Sequence, residues 1–225
     1  MKKKIYKGGD IMKQLVIATT NLNKVRRLKL LLKDLDYEIL SLNDIVSTIP
    51  EPNENANTPV GIAIEKASHY VEYLPNDTLI LTQDDTIQFE GVEDSDNPGV
   101  HIKGPVVEKY GEFTDEYAAE YYKNLANKYS GKIPMTFKYG HAVAIKENNG
   151  ERKITKIVSA GSELKVRLVN EINKLEKSKG YFLAALMEAK VDDEWIKYNE
   201  LDEDVLVKLD NDLYKSIKSL LESIN

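Results

Sequence analysis

Gln14-Leu15-Val16-Ile17-Ala18-Thr19-Thr20-Asn21-Leu22-Asn23-Lys24 is the stretch that decides the architecture. Its first half is a short continuous apolar run, the pattern of a strand covered on both faces rather than one alternating between core and solvent. Its second half is polar, and beyond it Val25, Leu28, Leu31, Leu32 and Leu35 recur at helical spacing. Asn21 is placed to cap that helix, because its side-chain oxygen can accept from the unpaired amides of the first turn. Tyr37 to Ser41 reads as the next strand, so the chain opens with a β-loop-α-β unit and predicts an α/β fold. A loop between a buried strand and a helix presents backbone N–H groups and the positive end of the helix dipole to an anion. Lys24, one turn into the helix, is within reach of a phosphate bound there. An ordinary βα loop has the same outline, and the glycines and the Lys-Ser/Thr pair of a Walker A loop are absent.

Further along, residues 50–59 form a turn-rich connector, after which Thr58 as N-cap and Pro59 at the first helical position predict a helix to about Tyr73. That helix carries Glu65 and Lys66. Lys66 is a candidate phosphate ligand, although a solvent-facing Glu-Lys pair reads the same way. Thr78 to Thr82 is another buried strand, running into Gln83-Asp84-Asp85. Adjacent carboxylates at the carboxyl end of a strand suit a hard cation such as magnesium or the activation of a water; they also suit a solvated turn. Residues 91–99 read as a loop and 114–129 as a Tyr-rich amphipathic helix. Strands at about 135–146 and 152–160 flank a turn signal at 147–151. Residues 181–189 form a further strand or helix, and Leu213, Ile217, Leu220, Leu221 and Ile224 share one face of a closing helix. With no internal repeat, residues 12–225 are expected to form a single domain. Residues 1–11 are expected to lie outside it: Lys7 to Met12 back-translates to a ribosome-binding sequence and start codon, against the alternative of a basic tail.

Composition narrows the chemistry. The chain has 225 residues, 42% hydrophobic and 30% charged, enough for one large α/β domain. It has no cysteine, which excludes disulfides, thiolate nucleophiles and Cys-ligated zinc. No apolar run approaches the roughly 20 residues of a membrane span, and the Lys-rich start has no apolar signal core. A cytoplasmic location without membrane contact is expected. The formal charge of −6 argues against a nucleic acid polymer as partner, while a small phosphorylated ligand fits. Arginine occurs only at positions 26, 27, 152 and 167, a codon bias expected of an AT-rich bacterial genome. His69, His101 and His141 show neither metal-ligand spacing nor a place in a Ser-His-Asp arrangement.

Taken in order, these segments resemble the inosine triphosphate pyrophosphatase family. Thr19-Thr20-Asn21-Leu22-Asn23-Lys24 fits its opening Thr-x-Asn-x-x-Lys, and Gly61-Ile62-Ala63-Ile64-Glu65-Lys66-Ala67 fits its Glu-Asn-Ala-x-x-Lys-Ala in part. Gln83-Asp84-Asp85-Thr86-Ile87 keeps both aspartates of Ala-Asp-Asp-Ser-Gly, and Pro98-Gly99-Val100 matches a later Pro-Gly-Val. The resemblance implies an elongated mixed central sheet flanked by helices, with two lobes around a cleft, and a homodimer. It implies hydrolysis of a nucleoside triphosphate, a non-standard purine nucleotide such as ITP or XTP, to monophosphate and pyrophosphate with Mg²⁺ or Mn²⁺. Thr19, Thr20, Asn21, Lys24 and Lys66 would bind substrate. Asp84, Asp85 and Glu65 would hold the metal, and Asp85 with Lys24 would be catalytic.

Three departures qualify that expectation. The metal-binding Glu of the family's helix aligns with Gly61, and Glu65, one turn later on the same face, is the replacement to consider. The Gly-Phe-Gly-Tyr-Asp-Pro segment that holds the purine aligns near Gly180 to Ala185 and has lost its Asp. The Ser-His-Arg before the last helix aligns around Asn211-Asp212-Leu213, where neither His nor Arg occurs. The alternative is therefore a catalytically inactive descendant that serves as a nucleotide sensor or a protein-interaction subunit. A third reading keeps only the fold and assigns another phosphorylated metabolite.

Overall fold

β1 (Gln14–Ile17) pairs in parallel with both β2 (Glu38–Ser41) and β3 (Leu79–Phe89), Ile17 standing between Ser41 and Leu81. With β4 (Lys132–Asn149), β5 (Arg152–Val169), β6 (Met187–Val191) and β7 (Glu194–Lys197), they form one sheet in the order β2-β1-β3-β4-β5-β6-β7. β5, β6 and β7 pair antiparallel, so the sheet is mixed as expected. The helices among the described residues are α1 (Leu22–Leu31), α2 (Pro59–Tyr70), α3 (Gly104–Tyr110), α4 (Asp115–Lys128), α5 (Glu203–Leu209) and α6 (Asn211–Ile224). The computed structural model describes residues 13–46, 49–149 and 152–224. The start at Met12 and the extension before it lie outside the described residues, as do positions 150 and 151 of the expected turn.

Several expected boundaries move. β3 does not stop at Thr82 but continues through Asp84 and Asp85 to Phe89, so the acid pair sits within a strand and not at its end. The apolar run stops at Thr82, yet strand pairing is made by backbone groups and needs no apolar side chain. β4 and β5 likewise outrun the hydrophobic segments that announce them. Residues 181–189 resolve into a 3-10 turn, Phe182–Ala185, followed by β6.

The chain divides into two compact units: residues 1–84, 139–162 and 211–225, and residues 85–138 and 163–210. In the first, Leu15, Val16 and Ile17 are each at most 1% exposed, which confirms that β1 is covered on both faces. Side chains alternate across a strand, and the partners sort accordingly. Val16, Ala18, Ile80, Ala142 and Ala144 pack with Ala63, Ala67 and Tyr70 of α2. On the other face, Arg27 of α1 donates to the Tyr139 hydroxyl at 2.9 Å, and Ser216 of α6 lies 2.7 Å from His141 Nε2. α2 therefore covers one face and α1 with α6 the other, as right-handed crossovers from β1 to β2 and β2 to β3 require.

The second unit has an aromatic core. Tyr122 of α4 is fully buried, stacks on Phe182 at 5.4 Å between centroids and donates its hydroxyl proton to Ile102 O at 2.8 Å. Burial pushes its phenol far up from the ordinary range. Of the tyrosines in the expected Tyr-rich helix, Tyr122 is thus a core residue, whereas Tyr117 is exposed and stacked on Tyr110.

Candidate functional site

The amide of Ala18 donates to Leu81 O at 2.8 Å, and there β1 and β3 part company. β1 turns off into residues 19–24, while β3 continues through Thr82, Gln83 and Asp84. α1 leaves toward one face of the sheet and α2 arrives from the other. This is a topological switch point at the carboxyl ends of parallel strands, where open α/β sheets bind ligands.

On the α1 side, Asn21 is the cap that the sequence predicts. Its Oδ1 accepts from the amides of Asn23 at 2.9 Å and Lys24 at 3.3 Å, and Thr19 Oγ1 accepts from the Asn21 amide at 3.2 Å. Thr19 and Asn21 are therefore turned onto the loop's own backbone. An anion here would meet Lys24, the exposed Thr20 and the positive end of α1, not a row of open amides.

On the α2 side, Thr58 accepts from the Gly61 amide at 3.1 Å, with Pro59 opening the helix. One turn further, Lys66 Nζ donates to Asp84 Oδ1 at 2.7 Å and lies 3.1 Å from Glu54 Oε1. The Lys66 and Asp84 side chains are only 16% and 13% exposed, against 41% for Glu54. Burial pulls the Lys66 ammonium down, but the Asp84 carboxylate and then Glu54 outweigh it and hold the group above its ordinary value. Thr82, two residues before Asp84 on the same face, donates to Ala63 O at 2.6 Å and so ties β3 to the turn of α2 that carries Lys66. Of the expected site residues, Lys66 and Asp84 are brought into direct contact.

Glu65 goes elsewhere. Its Oε2 accepts from the amides of Asn55 at 2.9 Å and Ala56 at 3.2 Å, so it holds the connector. Gly61 has no room for a replacement ligand, since a Cβ there would fall 2.7 Å from Ala56 Cβ and 3.1 Å from Thr58 Oγ1. Asp84 is held by an ammonium, and its neighbour Asp85, in extended backbone, departs from the opposite face of β3. Among the described residues, no group of three His, Asp or Glu side chains is placed to hold a metal ion. As arranged, these donors do not fit a divalent cation.

The residues sequence reasoning missed are Glu54 and Arg27. Glu54 stands in a connector without periodicity, and nothing local announces that it folds back on Lys66. Arg27 lies over the Tyr139 ring, 4.6 Å from its centroid, a pairing across 112 residues of chain. Among the described residues, the Gln83 amide and His141 Nδ1 are buried without a hydrogen-bond partner. Burial pushes His141 down to about 4, so it is neutral at physiological pH. The segment aligned with the purine-holding motif is core: Phe182, Leu183, Ala184 and Ala185 are all buried. The segment aligned with Ser-His-Arg starts α6.

Comparison with known proteins agrees with the geometry. The model of the Ham1 family matches residues 15–164, more than half of the chain. A HAM1 protein from Coxiella burnetii has the same fold, with a TM-score of 0.62 at 17% identity over 94% of this chain and 100% of that one. The Staphylococcus aureus Ham1 protein gives 0.61 at 15% identity over 95% and 100%. A nucleoside-triphosphatase / dITP/XTP pyrophosphatase from Mycobacterium abscessus gives 0.55 at 14% identity over 92% and 98%. No curated protein matches the chain by sequence. Among the described residues, no helix is long and apolar enough to cross a membrane.

Proposed function

The chain belongs to the Ham1 family, the grouping that its ordered motifs resemble, and from that premise we propose that it is a nucleoside triphosphate pyrophosphatase. The substrate would be cleaved to the monophosphate and pyrophosphate. The observation that carries this reading is the Lys66–Asp84 ion pair, set on β3 just past the point where its parallel pairing with β1 ends and the Lys24 loop begins. The fold neighbour from Mycobacterium abscessus is named for dITP and XTP, which supports a triphosphate as the substrate class.

In the proposed reaction, water attacks the α-phosphorus and the bond to the bridging oxygen of pyrophosphate breaks. Charge accumulates on the phosphoryl oxygens, where Lys24 and Lys66 neutralise it. Asp85 takes the proton of the attacking water, since a half-buried carboxylate is a competent general base. Asp84 orients Lys66 from the 2.7 Å contact.

Pyrophosphate release from ITP, XTP, dITP, dUTP and the four common ribonucleoside triphosphates, each with Mg²⁺, with Mn²⁺ and with chelator, tests the reading. Release from at least one is expected, and Asp85→Asn should abolish it. A second reading, nucleotide binding without turnover, is favoured by one observation: neither Gly61 nor Glu65 supplies a third carboxylate. Tight binding with no release from any triphosphate would establish that reading instead.

A further inference from the structure

Buried polar side chains collect on one face of the sheet within the first compact unit. From Thr82 to Glu90 the chain advances along β3 while the residue it meets on β4 falls back from Ala142 to Pro134. The two strands are therefore antiparallel, and Gln83 stands opposite His141. Thr82 and Ala142 face α2, so by alternation Gln83 and His141 face α1 and α6. A Cβ on Gly140 or on Gly161 would point at Val60 near the start of α2, which turns Ser162 of β5 to the same face as His141. Gln83 is 3% exposed and His141 is 0% exposed. Among the described residues, the buried side-chain atoms without a hydrogen-bond partner all belong to these three: Gln83 Nε2 and Oε1, His141 Nδ1 and Ser162 Oγ. The other ring nitrogen of His141 is engaged, 2.7 Å from Ser216 Oγ of α6.

A polar group left dry in a protein interior is destabilising, and ordered water is the common partner that satisfies it. The chemistry of this patch selects such a partner. Gln83 and Ser162 carry no charge, and burial keeps the His141 ring neutral. The amide and the hydroxyl each donate and accept, while the role of Nδ1 follows from the direction of the Ser216 contact. A small neutral molecule that both donates and accepts meets all of them, whereas a bare ion finds no counter-charge on these three side chains. We propose that Gln83, His141 and Ser162 line an internal hydration site, where ordered water joins β3 and β5 to the His141–Ser216 contact and so to α6. Water holds the imidazole at Nδ1 as Ser216 holds it at Nε2. The closing helix is thereby docked by a polar relay as well as by its apolar stripe. The site stands independently of the phosphate chemistry on the α2 side.

Two measurements on the full chain test this. Water-selective nuclear Overhauser spectra of the unsubstituted protein should show transfer from long-lived water to the His141 ring proton that lies between the two nitrogens, a signal assigned by its loss in His141→Gln. In urea unfolding, Gln83→Met keeps the length of the side chain and removes its hydrogen bonds. It should raise the unfolding equilibrium constant roughly fivefold, the scale of one net hydrogen bond, and weaken the water transfer to His141. An unfolding constant that is unchanged or lowered in Gln83→Met would show that the amide is dry and would overturn the proposal. No water transfer in the unsubstituted chain, with Gln83→Met still destabilised, would overturn it in favour of a direct Gln83–His141 bond. The spectrum of the unsubstituted chain decides the matter even where a variant does not fold.

Discussion

Gly140 passes so close beneath the start of α2 that a Cβ would fall 2.0 Å from the Pro59 carbonyl carbon and 2.1 Å from the Val60 nitrogen. Both neighbours are backbone, so nothing can swing aside, and the first turn of the helix that carries Lys66 would have to move. Gly140→Ala should cost roughly 3 kcal/mol or more by urea denaturation, at the upper end of overpacking effects; a cost under about 1 kcal/mol would contradict the close approach. His141, on the opposite face of β4, makes a prediction about pH. Burial depresses its folded value to about 4 from an ordinary 6.5, so the neutral ring contributes stability in full above pH 6.5. That contribution is lost as pH falls from 6.5 toward 4, on the order of 3 kcal/mol in all. His141→Gln keeps a donor toward Ser216 and does not titrate. Urea unfolding should therefore show the unsubstituted chain losing about 2 kcal/mol more than His141→Gln between pH 7 and 4.5, and parallel profiles would refute the buried neutral imidazole.

At the scale of elements, what was legible in the sequence was what is encoded locally. The Asn21 cap, the Thr58-Pro59 helix start and the apolar stripe of α6 each lie within a few residues of the structure they specify, and each appears as read. Asn21→Ala removes the acceptor for two first-turn amides and should cost about 1 kcal/mol in thermal or urea unfolding. What was not legible depends on partners far along the chain. The Asp84-Asp85 pair reads as the end of a strand because Thr82 ends the apolar run. β3 is carried onward by backbone pairing: just past its end the Glu90 amide still donates to Pro134 O of β4 at 3.0 Å. α3 was not foreseen either, being a seven-residue helix in a stretch rich in Gly and Pro. Glu65 read as a replacement metal ligand from spacing alone. Its partners are connector amides nine and ten residues away, and a helix-face argument cannot see a loop that folds back.

At the scale of the whole molecule, membership of the Ham1 family and the mixed sheet account for where ligand chemistry belongs, and the details of this chain account for how it differs. Lys24 on α1 and Lys66 on α2, the proposed phosphate ligands, stand on the two helices that flank the β1–β3 switch point. The donors that would surround a divalent cation are dispersed: one position is a glycine pressed against Ala56, one carboxylate holds a connector, and one holds Lys66. The segment aligned with the base-holding motif has become aromatic and aliphatic core. The central claim is that Lys66, fixed by Asp84, acts on the phosphates of a nucleoside triphosphate. Its most direct test is the rate of pyrophosphate release from ITP, XTP, dITP, dUTP and the four common ribonucleoside triphosphates by the unsubstituted chain and by Lys66→Met, at matched folded concentration confirmed by circular dichroism. The account predicts release from at least one of them by the unsubstituted chain, reduced at least about a hundredfold by Lys66→Met, as for loss of a transition-state charge partner. Release that persists undiminished in Lys66→Met, or no release from any of them, would contradict it.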